Sequence, residues 1–418
     1  MQRFVPSTLS PKSWPFSLEF LPQTAYMVGG AVRDAMLGRT REYLDLDFVL
    51  PSHAVKVARK IAAYYKAGFV LLDSERQIAR VVFPHATADF AQQEGDSLEI
   101  DLHRRDFTVN AIAYNPHTQE IIDPLQGYVD IERRILRMVS PANLEDDPLR
   151  LLRGYRQACQ LGFTIEPATQ TAIRTLAPHI NKVAEERVRA ELGYMLLESQ
   201  GTVWLRSAWE DGLLTPFFKS ATKESFIQLA AVDTAASVLA ETWQQLEVDL
   251  RKYVRSTLKT SLLGVAKLAC LVNPEPEAAE VELQELTYSR AEIKAVVTAL
   301  RLFPQLKALP MSWREQYLLF QEAGFVFPAI VVLVVAHGIM VEAIAPLISR
   351  YLNPDDLVAH PMALVSGKEL IIALNIPASP QIGKLLTEIA VAQIEGKIST
   401  AAEAIEFARH LIDQTRQK

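Results

Sequence analysis

The stretch VGGAVRDAMLGRTREYLDLDFVL, residues 28–50, decides how the first third of this chain is read. It opens on an apolar run ending in Gly29-Gly30, passes through a helix-compatible segment, and returns to an apolar run carrying Asp45 and Asp47. A glycine pair between strand and helix lets backbone N–H groups approach a phosphate closely; the same pair also serves as an ordinary tight turn. Residues i and i+2 of a strand face the same side. The spacing therefore predicts that Asp45 and Asp47 converge among Leu44, Leu46, Phe48 and Val49. Carboxylates held together on an apolar strand are costly unless a cation neutralises them, and oxygen-only donors with room for substrate phosphates suit Mg²⁺ rather than zinc. Two solvated acids at a strand end are the plainer reading of the same pair.

Outward from this stretch, the apolar runs AYMVGG, DLDFVL, GFVLLD, ARVVFP, ATADFA and VNAIAYN alternate with helical segments up to about residue 140. Several lie too close together for helical crossovers, so the sheet is expected to be partly antiparallel. From Asp146 onward helical periodicity dominates, as in PLRLLRGYRQACQLG and AEERVRAELGYMLLES. The expected architecture is α+β: a sheet-bearing head followed by an all-α remainder.

The 418 residues are 49% hydrophobic and 22% charged, which excludes bulk disorder. With a net charge of −6, contact with nucleic acid must come from local basic surface. Two cysteines, Cys159 and Cys270, cannot build a disulfide framework. Together with a start that lacks the apolar core of a secretion signal, they point to a reducing, cytoplasmic setting. The run Phe325 to Val341 is apolar but short for a bilayer span and contains Pro328 and His337. It is expected to be a buried helix of a soluble protein without a membrane partner.

Three more clusters carry chemistry. Asp89, in Ala88-Asp89-Phe90, reads either as a third carboxylate beside Asp45 and Asp47 or as a turn acid. In Arg104-Arg105-Asp106-Phe107-Thr108-Val109-Asn110, the arginines suit a triphosphate, and Asp106 and Asn110 a ribose edge; a capped helix start with solvated arginines is the alternative. In Asp146-Asp147-Pro148-Leu149-Arg150, with Arg153 and Arg156 following, helical i, i+3 spacing predicts Asp147 beside Arg150. A carboxylate acceptor next to a guanidinium donor matches a base edge with an amino group beside a ring-nitrogen acceptor. Cytosine and adenine present that edge; uracil and guanine present the reverse. A plain surface salt bridge is the other reading.

Taken in order, these motifs resemble the class II tRNA nucleotidyltransferases, the family of CCA-adding enzymes and bacterial poly(A) polymerases. GGAVRDAMLGRTREYLDLD is similar to the family's metal-site motif, and RRDFTVNAIAY to its ribose and triphosphate motif. DDPLRLLRGYRQACQLGF resembles its base-selecting neck helix, and EERVRAELGYMLL the helix that buttresses it. The resemblance implies a DNA polymerase β-like nucleotidyltransferase head with a mixed five-stranded sheet, followed by an all-α neck, body and tail. The corresponding boundaries are residues 1–139 for the head, 140–200 for the neck, 201–273 for the body and 274–418 for the tRNA-binding tail.

It further implies template-independent attack of a tRNA 3′-hydroxyl on the α-phosphate of CTP or ATP, with pyrophosphate released. By resemblance Asp45 and Asp47 hold Mg²⁺, and Gly29, Gly30 and Arg33 contact the triphosphate. Arg105, Asp106 and Asn110 contact triphosphate and ribose. Asp147 and Arg150 pair with the base, steadied by Arg153 and Arg156. Arg251, Lys252, Arg255 and Lys259 are weak candidates for RNA contact. CCA-adding relatives usually carry a long flexible loop where this chain has only Ala91 to His103. Its lack resembles the CC-adding branch, which leaves the terminal A to a separate A-adding enzyme. Complete CCA addition, and poly(A) polymerase or A-adding activity, are the alternatives within the family, and a non-catalytic RNA-binding protein the alternative outside it.

Overall fold

A computed structural model describes residues 7–39, 43–198, 200–255, 260–308 and 310–416. The chain forms two compact units: residues 1–191 with 204–216, and residues 192–203 with 217–418.

The first unit is organised by a mixed sheet. Its strands are β1 (Tyr26–Val28), β2 (Leu44–Leu50), β3 (Gly68–Asp73), β4 (Ile78–Phe83), β5 (Ala86–Gln92), β6 (Ala113–Asn115) and β7 (Glu120–Ile122), in the spatial order β3-β4-β5-β2-β1-β6-β7. Only the β2–β5 pair within this sheet is parallel; the others are antiparallel. Seven strands replace the five expected. The difference lies partly at the β1 edge, where the three-residue strands β6 and β7 add a hairpin turned by Gln119 at φ 61°. Three residues are too few to show an alternating pattern, so β7 leaves no signal in the sequence.

Alternation along β2 sets the two faces of the sheet. Leu46, Phe48 and Leu50 are buried on one side, where Phe48 stacks on Phe90 and meets Trp14 and Phe16 edge-on. Asp45, Asp47 and Val49 share the other side, where Val49 packs with Val28, Leu102, Ala111 and Ala113. The aromatic layer anchors the strand from below, fixing the height at which the two carboxylates emerge.

Helices α1 (Gly30–Met36), α2 (Ala54–Tyr65), α3 (Leu98–His103), α4 (Gly127–Arg133), α5 (Pro141–Asp146), α6 (Leu149–Leu161), α7 (Pro167–Leu176) and the part of α8 (Glu185–Leu197) up to Glu191 belong to this unit. Gly127 opens α4 against the turn at Thr108, and a Cβ there would stand 2.2 Å from the Thr108 carbonyl oxygen. Backbone cannot swing aside as a flexible side chain can. Gly127→Ala is therefore expected to destabilise the chain by about 1–3 kcal/mol, read as a lowered midpoint in denaturant; an unchanged midpoint would mean the two segments do not approach as described.

The second unit is helical. It contains α9 (Gly201–Glu210) in part, then α10 (Lys223–Thr242), α11 (Gln244–Leu250), α12 (Leu262–Leu271), α13 (Pro276–Glu285) and α14 (Arg290–Leu302). It continues with α15 (Trp313–Ala323), α16 (Phe327–Ala336), α17 (Val341–Leu352), α18 (Gly367–Leu374), α19 (Pro380–Ile394) and α20 (Ala401–Arg416). By length and composition alone Trp313–Ala336 could cross a membrane. It is broken at Gly324, φ 48°, and every residue from Phe327 to Val334 is buried within the unit. The middle of the apolar run, Phe327–Ala336, is thus the core helix its sequence suggested, while Phe325 and Met340 at its ends are exposed.

Candidate active site

The glycine pair sits where strand β1 gives way to helix α1. Gly29 adopts φ 73° and ψ −138°, a conformation closed to most side chains. A Cβ at this position would lie 3.6 Å from Asp47 Oδ2 and 3.5 Å from Arg105 Nη1. A Cβ would thus touch both at ordinary contact distance, so it is the positive φ that calls for glycine, at a turn flanked by a carboxylate and a guanidinium from distant parts of the chain.

Asp45 and Asp47 share the site face of β2, as their spacing predicts. Parallel pairing places Asp47 level with Asp89 and Asp45 level with Thr87, whose Oγ1 donates to Asp45 Oδ1 at 2.7 Å. Burial pushes the Asp47 carboxyl up to about 7, and the neighbouring charges of Asp45 and Asp89 push the same way, against Arg105 and Arg80. A carboxylate so placed calls for a cation. Asp89, however, is held by a two-pronged ion pair: Arg80 Nε and Nη2 donate to its Oδ1 and Oδ2, each at 2.7 Å. Among the described residues no group of three Asp, Glu, His or Cys is arranged to hold a metal. Asp45 and Asp47 remain as an oxygen-donor pair, which fits a hard divalent ion completed by substrate phosphates.

The shift has a sign that can be measured without any metal. Between the ordinary carboxyl range and about 7, folded Asp47 keeps a proton that the unfolded chain has lost. Asp47 is thus expected to contribute a loss of stability to the metal-free chain as pH rises from 4 to 7, and Asp47→Asn to remove that contribution. Identical pH profiles for wild type and variant in chelator would contradict the assigned burial.

Next to this pair lies a buried polar network. Arg33 donates to Asp34 Oδ1 through Nε at 2.9 Å and Nη2 at 2.7 Å, and to Asn110 Oδ1 through Nη1 at 2.6 Å. The Asn110 amide donates to Asp106 Oδ1 at 2.9 Å and to Gln157 Oε1 at 3.0 Å. Burial disfavours charge on Asp106, but Arg153, Asn110 and the Phe107 N–H together hold its carboxyl below the ordinary range. Arg33 is thus engaged with Asp34 and Asn110 inside the network. Arg105 is held by Asp101 at 3.0 Å, while its Nε is buried without an acceptor among the described residues. Arg104 is more exposed and pairs with Glu94 at 3.2 Å.

The neck cluster departs from its helical reading. Asp147 is not in a helix: it follows α5 in extended conformation, φ −135° and ψ 95°, because the residue before a proline is disfavoured from the helical region. Its carboxylate meets Arg187 of α8, at 3.0 and 3.3 Å, and not Arg150. Arg150 instead donates through Nη1 to the carbonyls of Asn143 at 2.8 Å and Arg104 at 3.0 Å. Arg153 and Arg156 converge on Glu191, and Arg156 also donates to Gln160 at 2.5 Å. Beneath them, Tyr155 is fully buried and its hydroxyl donates to Asp211, which also receives Arg174.

Of the weak RNA candidates, Arg251 pairs with Glu247 and Lys252 with Asp249, each at 2.7 Å. Lys259 lies outside the described residues. Sequence reasoning missed Arg80, Asn143, Arg187, Gln157 and Glu191. The i, i+4 placement of Arg187 and Glu191 on one face of α8 was available as a signal; the cross-strand meeting of Arg80 and Asp89 was not.

Residues 25–137 match the profile of the "Poly A polymerase head domain". Residues 256–408 match that of a "tRNA nucleotidyltransferase domain 2". The chain is 50% identical to a CC-adding tRNA nucleotidyltransferase of Synechocystis sp., over 95% of this chain and 96% of that protein. It is 30% identical to an A-adding tRNA nucleotidyltransferase of Deinococcus radiodurans, over 94% and 97% respectively. The fold is shared with a Thermotoga maritima CCA-adding enzyme solved in complex with tRNA, at a TM-score of 0.68 and 20% identity, covering 93% of this chain and 91% of that one.

Proposed function

Because the chain belongs to the class II tRNA nucleotidyltransferase family and is a nucleotidyltransferase, we propose that it adds two cytidines to the 3′ end of tRNA from CTP. The observation that carries the choice of nucleotide is the link between β5 and α3. It spans residues 93–97 and is closed on itself. The Glu94 N–H donates to Asp101 Oδ1 at 3.0 Å, and Gly95, at φ 81°, lies against Ile100. The family resemblance implies that relatives completing CCA usually carry a long flexible loop here, which re-forms the base pocket when specificity passes from CTP to ATP. A link of this size offers no such element. The CC-adding relative at 50% identity supports the same reading.

In the reaction the oxygen of the RNA 3′-hydroxyl forms a bond to the α-phosphorus of CTP. The α–β phosphoanhydride bond breaks, and pyrophosphate and the hydroxyl proton leave. Asp45 and Asp47 would hold Mg²⁺, which when bound supplies positive charge to the reacting oxygens. The Gly29-Gly30 turn and Arg105 receive the triphosphate, and Asp106 and Asn110 face the ribose, with Arg33 ordering Asn110. Asp147 accepts from the base amino group and Arg150 donates to the adjacent ring nitrogen; Arg153 and Arg156 brace this row. The head, residues 1–139, performs the chemistry and residues 140–200 select the base. Residues 201–273 and 274–418 hold the tRNA, with Arg251 and Lys252 able to trade acidic partners for phosphates and Arg255 adding a third positive charge nearby in sequence. A separate A-adding enzyme completes the 3′ end.

The test uses a tRNA transcript ending at the discriminator base, with Mg²⁺ and a single nucleotide. CTP alone is expected to extend it and ATP alone to leave it unchanged; extension with ATP alone would overturn the assignment in favour of A addition.

A further inference from the structure

Three consecutive carbonyls beside the phosphate-side arginine are occupied from the neck. The Asn143 amide, largely buried in α5, spends both hydrogens on this turn, donating to His103 O at 2.7 Å and Arg105 O at 2.8 Å. The carbonyl between them, on Arg104, accepts from Arg150 Nη1 at 3.0 Å. The clasp closes through Asn143 itself, whose main-chain carbonyl accepts from the same Arg150 nitrogen at 2.8 Å, while Ser140 Oγ caps its N–H at 3.2 Å.

We propose that Asn143 is a positioning residue that fixes the base-reading guanidinium of Arg150 relative to the phosphate-side Arg105, so that nucleotide placement and base choice are set together. The inference rests on the proposed nucleotidyl transfer. Its physical basis is that Asp147, the partner expected to orient Arg150, is drawn away to Arg187. Among the described residues the hydrogen bonds of the Arg150 side chain go to two backbone oxygens, on Arg104 and on Asn143 itself, whose positions depend on Asn143. An asparagine suits the task because its amide has two donors in one plane, matched here to two carbonyls two residues apart. Without it those carbonyls lose their donors, the turn relaxes, and the arginine and the triphosphate site drift independently.

The experiment measures CMP and UMP incorporation by the full chain carrying Asn143→Ala, with Arg150→Ala and the double variant alongside. Asn143→Ala is expected to raise the KM for CTP about tenfold and to cut the CTP-over-UTP preference about tenfold, with kcat changed less. In the Arg150→Ala background it should lower the preference no further. Asn143→Asp, which keeps the volume but turns an acceptor toward the two carbonyls, serves as the second variant should the alanine form fold poorly. A merely structural role would lower the melting temperature and the rates with both nucleotides while leaving the preference intact; that outcome, or additive losses of preference in the double variant, overturns the proposal. A wild-type chain that incorporates nothing overturns the enzymatic reading instead. A wild-type chain that prefers ATP removes only the CC assignment, and the same variants are then scored for ATP over GTP.

Discussion

Asp47→Asn is expected to lower CMP incorporation by about three orders of magnitude or more while leaving tRNA affinity within about twofold of wild type. The expectation comes from placement rather than from sequence motif alone. Asp47 stands on the central strand of the sheet, level with Asp89, on the same face as Asp45, and both it and Arg105 lie within 4 Å of where a Cβ on Gly29 would stand. Asp89 has its own guanidinium in Arg80, and Asp45 leans on the Thr87 hydroxyl. Asp47 has its carboxyl driven up to about 7, first by burial and then by its acidic neighbours. Such a group destabilises the metal-free chain at neutral pH, so its replacement by a neutral isostere should not impair folding. Loss of turnover in a well-folded, RNA-binding variant would therefore report the chemistry directly. Near-normal turnover would remove Asp47, and with it the proposed metal pair, from the mechanism.

Asp147→Ala is expected to relax base choice, cutting the preference for CTP over UTP by about 10- to 100-fold, the range of a lost paired contact to a base edge. Truncating the acid removes the acceptor for the amino group of cytosine and also frees Arg187. The separate variant Arg187→Ala distinguishes the two effects: it leaves the acceptor in place and should cost less preference than Asp147→Ala. Unchanged preference for CTP in Asp147→Ala would exclude a base-reading role for this carboxylate.

Much of this site could be read from the residues because its logic is local. The i, i+2 spacing of Asp45 and Asp47 on an apolar strand, the glycine pair after β1, and the order of motifs along the chain all survive in the fold. The neck cluster shows where local spacing fails. Asp147 and Arg150 stand three apart, but Pro148 keeps Asp147 out of the helix, and each side chain takes a partner 40 or more residues away in sequence. Pairings of that kind are decided by packing, which no window of sequence contains. The same holds for Arg80 with Asp89, which meet only because β4 and β5 run antiparallel in a given register. Part of the error in strand count has a simpler reason: β7 is three residues long and too short to carry a period.

The most direct test of the central claim supplies CTP and ATP together to a tRNA ending at the discriminator base, with products resolved at one-nucleotide resolution. The product is expected to stop after two cytidines even with ATP in excess. Addition of a terminal adenosine by this chain alone would contradict it.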